Sequence, residues 1–306
     1  MKFIKVLISC TVVLFSLNVS AAWPEKPITI IVPYAPGGIN DIVTRSIIED
    51  MSLLLKTPVT VQYHAGGNGN IATSAMLNGD PNYTFMMGDQ ININGAMSTK
   101  KDHYNQLKPA IIFAGSPYVL VKSKKVPAED ILDAIKNKKE IQVAVPGLDI
   151  SSAIWIKNQR PIQVQMIPYK GGALVKSAVV MGHVDYGSSS FATLWDAITN
   201  NQIDPVFVST DKRSPLLPNV PTAKELKLTS IPNTPTEVWI ALIVNKSVDA
   251  EIVEKLNSVI AFAASDPKAV NSLNSRGAYV KVRTVKESQA LWNKEVIDSK
   301  KRYDIK

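Results

Sequence analysis

The amino-acid sequence predicts an α/β protein of two domains, on three observations. Its 306 residues are about twice the usual length of one domain. Short β-branched runs alternate with helical periodicity along the chain, the pattern of βαβ units carrying largely parallel sheets. Ile31-Val32-Pro33-Tyr34-Ala35-Pro36-Gly37-Gly38 and Met166-Ile167-Pro168-Tyr169-Lys170-Gly171-Gly172 both read as strand, Pro-Tyr, Gly-Gly, then helix, about half a chain apart.

The N-terminus is a separate element. Met1 to Lys5 is basic, Val6 to Leu17 is mostly apolar, and Val19-Ser20-Ala21 is a small-residue cleavage pattern. Residues 1–21 therefore read as a secretory signal peptide, and a soluble mature chain is expected to begin at Ala22 or Trp23. A membrane anchor needs roughly 20 apolar residues, and no later segment supplies them. Cys10 is the single cysteine and falls within the removed segment, so a disulfide scaffold, a thiolate metal site and a cysteine nucleophile are excluded together. Export without disulfides behind a short Lys-headed leader points to the periplasm of a Gram-negative bacterium.

The elements follow in order. Ile28 to Val32 reads as a strand, and Asn40 to Lys56 as a helix with Ile42, Val43, Ile47, Met51 and Leu54 at helical spacing. Val59 to Val61 leads through a glycine loop to a helix near Ile71 to Leu77, and Tyr83 to Met87 is the next strand. Ala128 to Lys138 reads as a helix, with Gln142 to Val145 and Val164 to Ile167 as strands. The last third is mainly helical: Asp266 caps a helix opened by Pro267, Gly277 stops it, and Thr284 with Glu287 forms a capping box for the final helix, with Leu291 and Val296 on its inner face.

Composition excludes several classes. The chain is 45% hydrophobic, 20% charged and 7% aromatic, too apolar for disorder. Its net charge is +8, lowered to +6 when Lys2 and Lys5 leave with the signal peptide. The basic residues are dispersed and no basic and aromatic stripe appears, so nucleic-acid binding is not expected. His64, His103 and His183 lack the spacing of a metal site, and neither metal nor cofactor is expected. Ser188-Ser189-Ser190 has no surrounding G-x-S-x-G and reads as cleft hydroxyls or a polar loop.

Each Gly-Gly turn lets backbone approach a ligand closely and aims free N–H groups at it, and the following helix adds the positive end of its dipole. Either copy alone can be ordinary turn punctuation. Two on two domains, facing one another, would clamp a carboxylate. A rival reading comes from Gly67-Asn68-Gly69-Asn70-Ile71-Ala72, which matches G-x-G-x-x-A with Asp89 about twenty residues on, the pattern of a dinucleotide-dependent oxidoreductase. Export and the second place of this unit in the chain weigh against it. A secreted enzyme on a bilobal scaffold is the other alternative, but no acid/base or nucleophile constellation is visible.

Trp23-Pro24-Glu25-Lys26-Pro27-Ile28 followed by Val32-Pro33-Tyr34-Ala35-Pro36-Gly37-Gly38-Ile39-Asn40-Asp41 closely resembles the substrate-binding proteins of tripartite tricarboxylate transporters, the Bug family of extracytoplasmic solute receptors. The likeness continues through Gly66-Gly67-Asn68-Gly69-Asn70-Ile71, Pro168-Tyr169-Lys170-Gly171-Gly172 and Lys212-Arg213-Ser214-Pro215-Leu216-Leu217-Pro218-Asn219-Val220-Pro221-Thr222, in order over essentially the whole mature chain. It implies a type II periplasmic-binding fold, two α/β domains joined by two crossing strands near Tyr118 to Lys122 and Val238 to Val244. Domain 1 would comprise residues 22–120 and 240–306, and domain 2 residues 121–239. The implied function is a monomeric receptor, not an enzyme, that closes on a small carboxylated solute and serves membrane permease subunits. Carried over by position, Tyr34, Gly37, Gly38, Ile39 and Asn40 would face Tyr169, Gly171, Gly172 and Ala173 across the ligand, with Asn68, Gly88, Ser151 and Ser189 around it. Asp41 matches an acidic position that faces a ligand amine or caps its helix.

The chain departs from the family in three places. Tyr63-His64-Ala65-Gly66 stands where Asn-Arg-Pro-Gly is common, Asp89-Gln90 replaces small hydroxyl residues and would put an acceptor and an amide near the cleft as ligand contacts, and Leu148-Asp149-Ile150-Ser151-Ser152 replaces a Ser-rich, His-containing stretch. Carboxylates at Asp41 and Asp89 would repel a second anionic group on the ligand, which favours an amino acid or monocarboxylate over a di- or tricarboxylate.

Overall fold

The structure, a computed structural model, describes residues 23–98, 102–125, 130–137, 140–147, 163–228 and 235–302. The expected signal peptide and Ser151 lie outside the described residues. The first half of the molecule runs β1 (Ile28–Val32), α1 (Ile39–Leu55), β2 (Val59–Tyr63), a 3-10 turn (Gly67–Gly69), α2 (Asn70–Asn78), β3 (Thr84–Asp89) and α3 (Gln90–Ser98). A long strand, β4 (Leu107–Ser123), leads into the second half: α4 (Ile131–Lys136), β5 (Glu140–Pro146), β6 (Gln163–Tyr169), α5 (Gly172–Met181), β7 (Tyr186–Ser190), α6 (Phe191–Thr199) and β8 (Ile203–Val208). The chain returns through β9 (Glu237–Asn245), α7 (Ala250–Ser265), α8 (Pro267–Asn274), β10 (Tyr279–Val280) and α9 (Val285–Arg302).

Strand order is β2-β1-β3-β9-β4-β7-β5-β6, with β8 and β10 also pairing β4. β1 lies parallel to β2 and β3, and β5 parallel to β6 and β7. Among the described residues only β4 belongs to both halves. Its residues up to Pro117 pair with β9, whereas Tyr118 to Lys122 pair with β7 and Val119 to Ser123 with β8. The chain thus leaves the first half between Pro117 and Tyr118. β9 pairs only with β3 and β4.

Helices cover both faces of each sheet. Alternate residues serve opposite cores, as the pleat requires. Ile30, Val32, Phe85 and Met87 pack with α1 and α7, while Ile31 and Met86 pack with α2, α3 and α9. On the latter side Trp239 and Trp292 meet with ring centroids 6.1 Å apart. In the second half Val119 and Val121 pack with α5 and α6, and Leu120, Val143 and Val145 with α4. The predicted caps form: Asp266 accepts from the Lys268 N–H at 2.7 Å, and Thr284 and Glu287 bond reciprocally. α4 begins after Asp130, which caps it by accepting from the Leu132 N–H; Ala128 and Lys138, the ends of the helix read from the sequence, lie outside the described residues. Among the described residues no helix is long and apolar enough to cross a membrane, and no three His, Cys, Asp or Glu converge as a metal site.

Candidate functional site

The carboxyl ends of the parallel strands in both halves point toward one another, the place where open α/β sheets expose loops and helix N-termini to ligands. After β1 the chain turns at Gly37, whose φ of +85° suits glycine, and α1 begins at Ile39 with Gly38 as its N-cap. Asn40 fixes the turn to the sheet by donating to the Met87 carbonyl at 3.1 Å. Asp41 holds it from within. One carboxylate oxygen accepts from the Gly37 N–H at 2.8 Å, and the other accepts from Arg45 Nε at 2.8 Å and the Tyr63 hydroxyl at 2.6 Å. Arg45 also donates to the Tyr63 hydroxyl at 2.7 Å. Burial, then the hydrogen bond to Asp41, push the Tyr63 phenol above its ordinary pKa, and the Asp41 charge raises that of Arg45. Of the two roles open to Asp41, the structure gives it the capping one: it stabilises the glycine turn and does not line the cavity.

The second seat is built alike. Gly171 has φ +116°, donates to the Tyr169 carbonyl at 2.8 Å and is the N-cap of α5. The two Pro-Tyr, Gly-Gly turns touch. A Cβ on Gly171 would stand 2.8 Å from the Tyr34 Cβ, one on Gly37 would stand 3.8 Å from the Ala173 Cβ, and the Ala35 N–H donates to the Lys170 carbonyl at 3.4 Å.

Between these turns lies a narrow cavity of about 20 Å³, room for about one water molecule. Tyr34, Gly38, Ile39, Asn40, Asp89 and Ile91 line it from the first half, Tyr118 and Val238 from β4 and β9, and Pro146, Gly172, Ser189, Ser190 and Thr193 from the second half. The N-termini of α1, α5 and α6 open onto it. Ser190 is the N-cap of α6 and shares a 2.7 Å hydroxyl contact with Thr193. The N-terminus of α3 carries its own carboxylate: Asp89 accepts from the Ile91 N–H at 2.8 Å and the Tyr34 hydroxyl at 3.3 Å, while its N–H donates to Asn92 Oδ1 at 2.9 Å. Asp89 is 0% exposed to solvent and is the one charged side chain among the described lining residues.

Of the residues chosen from the sequence, Tyr34, Gly38, Ile39, Asn40, Asp89, Gly172 and Ser189 line this cavity, while Gly37, Gly171 and Ala173 form the contact between halves. Asn68 and Tyr169 line an adjoining cavity with Gly66, Gly67, Gly69, Gly147, Pro168 and Lys170. Gly88 and Gln90 are placed elsewhere. A Cβ on Gly88 would stand 2.5 Å from Ile243 and 2.6 Å from Asn92, so its glycine serves packing. Gln90 donates to the Glu237 carbonyl at 2.8 Å and accepts from the Trp239 N–H at 3.0 Å, tying α3 to β9. Sequence reasoning missed Ile91, Tyr118, Pro146, Ser190, Thr193 and Val238. A Ser-x-x-Thr helix start after β7 was a usable signal for Ser190 and Thr193. The others depend on where the crossing strands fall.

The family model described as the tripartite tricarboxylate transporter family receptor matches residues 43–303. Protein BugT of Bordetella pertussis is 25% identical over 288 residues, spanning 90% of this chain and 87% of that protein. The solved structure of the periplasmic binding protein BugD superposes with a TM-score of 0.81 at 23% identity, covering 93% of this chain and 99% of that one. MatC from Rhodopseudomonas palustris, solved with bound malate, gives a TM-score of 0.80 at 22% identity, with coverage of 92% and 98%. The fold is that of the periplasmic binding proteins, and the matched family comprises solute-binding receptors, not enzymes, which removes both enzymatic alternatives. The chain belongs to the tripartite tricarboxylate transporter receptor family.

Proposed function

We propose that this receptor is exported by its signal peptide to the Gram-negative periplasm, captures a small carboxylated solute between its two halves as a monomer, and delivers it to the membrane subunits of a tripartite tricarboxylate-type transporter. The observation that carries the reading is the meeting of three helix N-termini, those of α1, α5 and α6, on one interlobe cavity walled by glycine turns. Helix N-termini from both halves bring positive dipole ends to one place, which suits a carboxylate. Malate in MatC, a protein of the same fold, supports this solute class. Because its contacts come from both halves, a bound carboxylate stabilises the closed arrangement over an open one, which gives the transporter a loaded form to recognise. An amino acid or monocarboxylate is favoured over a di- or tricarboxylate, since among the described residues the lining carries the carboxylate of Asp89 and no Lys, Arg or His.

Mass spectrometry of the solute released on denaturing freshly purified protein tests the reading. A carboxylic acid near one per chain is the expected result. A bound solute without a carboxylate would sink it.

A further inference from the structure

The start of α6 is shared by both halves. Its N-cap, Ser190, makes no side-chain bond to the first N–H groups of its own helix. The Ala192 N–H is met instead from β4, donating to the hydroxyl of Ser116 at 3.2 Å. Ser116 is fully buried and pairs with Val238 of β9, on the first-half side of the change of strand partners. Its hydroxyl in turn donates to the Gly277 carbonyl at 3.0 Å, in the turn after α8. Two apolar contacts reinforce this joint. The Phe191 ring occupies the place that a Cβ on Gly277 would take. Ala192 is buried in the core beneath α1 and α7, whereas Phe191, Leu194 and Ala197 of the same helix are buried in the core of the second half.

We infer that Ser116 is a positioning residue for solute binding: it caps α6 from the first half and so fixes where the α6 end of the carboxylate seat stands relative to α1. This rests on the seat proposed above. Ser190 and Thr193, on either side of the Phe191-Ala192 pair, line the cavity, and Ser116 does not. A hydroxyl that accepts from one half while donating to the other keeps both bonds only at one setting of the halves, and it favours that setting over any in which α6 has moved off Gly277. Without it the Ala192 N–H and the Gly277 carbonyl lose their shared partner, and part of the binding energy goes into restoring the setting. That loss is the same whichever acid binds, because the solute does not touch the hydroxyl.

Calorimetry on intact mature protein, stripped of solute by unfolding and refolding, would use pyruvate, nicotinate, malate, succinate, citrate and glutamate, together with any acid released when the purified protein is denatured. Ser116→Ala, shown to be folded by cooperative urea unfolding, should weaken every acid that binds by one common factor, about fivefold or more, and leave their order unchanged. Hydrogen exchange should quicken at Ala192 while the middle of α6 stays protected. Ser116→Thr keeps the hydroxyl and should retain most of the affinity. Where either Ser116 variant does not fold, Gly277→Ala decides, since it pushes on Phe191 from the first half and should reproduce the common loss. Unchanged affinity in folded Ser116→Ala, or in Gly277→Ala where that variant decides, overturns the role, because a hydroxyl with a merely structural part would move stability alone. A loss confined to some of the acids overturns it as well, since Ser116 would then be touching the solute. If none of the acids binds and the protein releases no carboxylate, the seat itself is overturned, and the role of Ser116 falls with it.

Discussion

The hydroxyl of Ser189 stands where a Cβ on Gly172 would be, and Thr193 Cγ2 lies 3.2 Å from the same point. A side chain at this first position of α5 would have to displace the Ser189 hydroxyl and crowd Thr193, whereas glycine leaves the backbone open to the cavity. Gly172→Val should weaken solute binding by at least ~1.4 kcal/mol, about tenfold, with the fold retained. Gly172→Ala should lose less, and Ser189→Ala combined with it should restore part of the affinity by removing the colliding oxygen. Equal affinity in all three variants, measured by calorimetry on folded protein, would refute the placement of the seat.

The Asp41 network predicts an order of effects. Asp41→Ala removes the acceptor of the Gly37 N–H and leaves the Tyr63 phenol without its acceptor, so it should cost most, about 2–3 kcal/mol of stability, and should also weaken binding. Tyr63→Phe removes one bond to the carboxylate and should cost about 1–2 kcal/mol. Arg45, whose side chain is 64% exposed, forms a screened pair, and Arg45→Ala should cost under about 1 kcal/mol. Urea unfolding of the three variants checks the ranking, and a dominant Arg45 effect would reverse it.

Tyr279 predicts alkaline sensitivity near the crossing strands. Burial first, and then the hydrogen bond and charge of Glu237, raise its phenol well above the ordinary value of 10.0. The folded protein therefore keeps a proton that the unfolded chain gives up near pH 10. Stability from this group is complete below that pH and falls as pH rises above it, by up to about 1.4 kcal/mol per pH unit. Tyr279→Phe should lower stability at pH 8 and flatten the decline between pH 10 and 11. An unchanged slope in urea titrations would remove Tyr279 as its source.

The turns were legible because their requirements are local. Gly37 and Gly171 adopt positive φ beside a helix start, and the Pro-Tyr before each marks where the strand ends. Roles that depend on rotation or distant pairing were not. Gln90 follows Asp89 directly, yet the first turn of α3 swings it about 100° away from the cavity and onto Glu237 and Trp239. Tyr118 faces the cavity because β4 changes partners beside it, pairing Tyr118 with Ser190; Gly115-Ser116-Pro117 just before it marks a break in the strand but not which strands pair on either side. The competing capping and ligand roles of Asp41 were decided by Tyr63, a residue contributed by the next strand.

Closure itself is open to test at the contact between the halves. Gly171 rests on Tyr34, and at φ +116° its backbone is one that side chains rarely adopt. Gly171→Ala therefore brings two penalties at once: local strain wherever the loop keeps its conformation, and a Cβ 2.8 Å from the Tyr34 Cβ only while the halves meet. The second penalty is absent from an open form. The variant should fold, shift toward the open arrangement, and bind solute more weakly because part of the binding energy is used to close it. Small-angle scattering should show the unsubstituted protein contracting on saturation with its natural solute, while Gly171→Ala contracts less at equal saturation. Tyr34→Ala in the same background removes the colliding atoms beyond Cβ but not the Cβ itself, so it should restore little. Full contraction by Gly171→Ala with unchanged affinity would show that this contact does not govern closure.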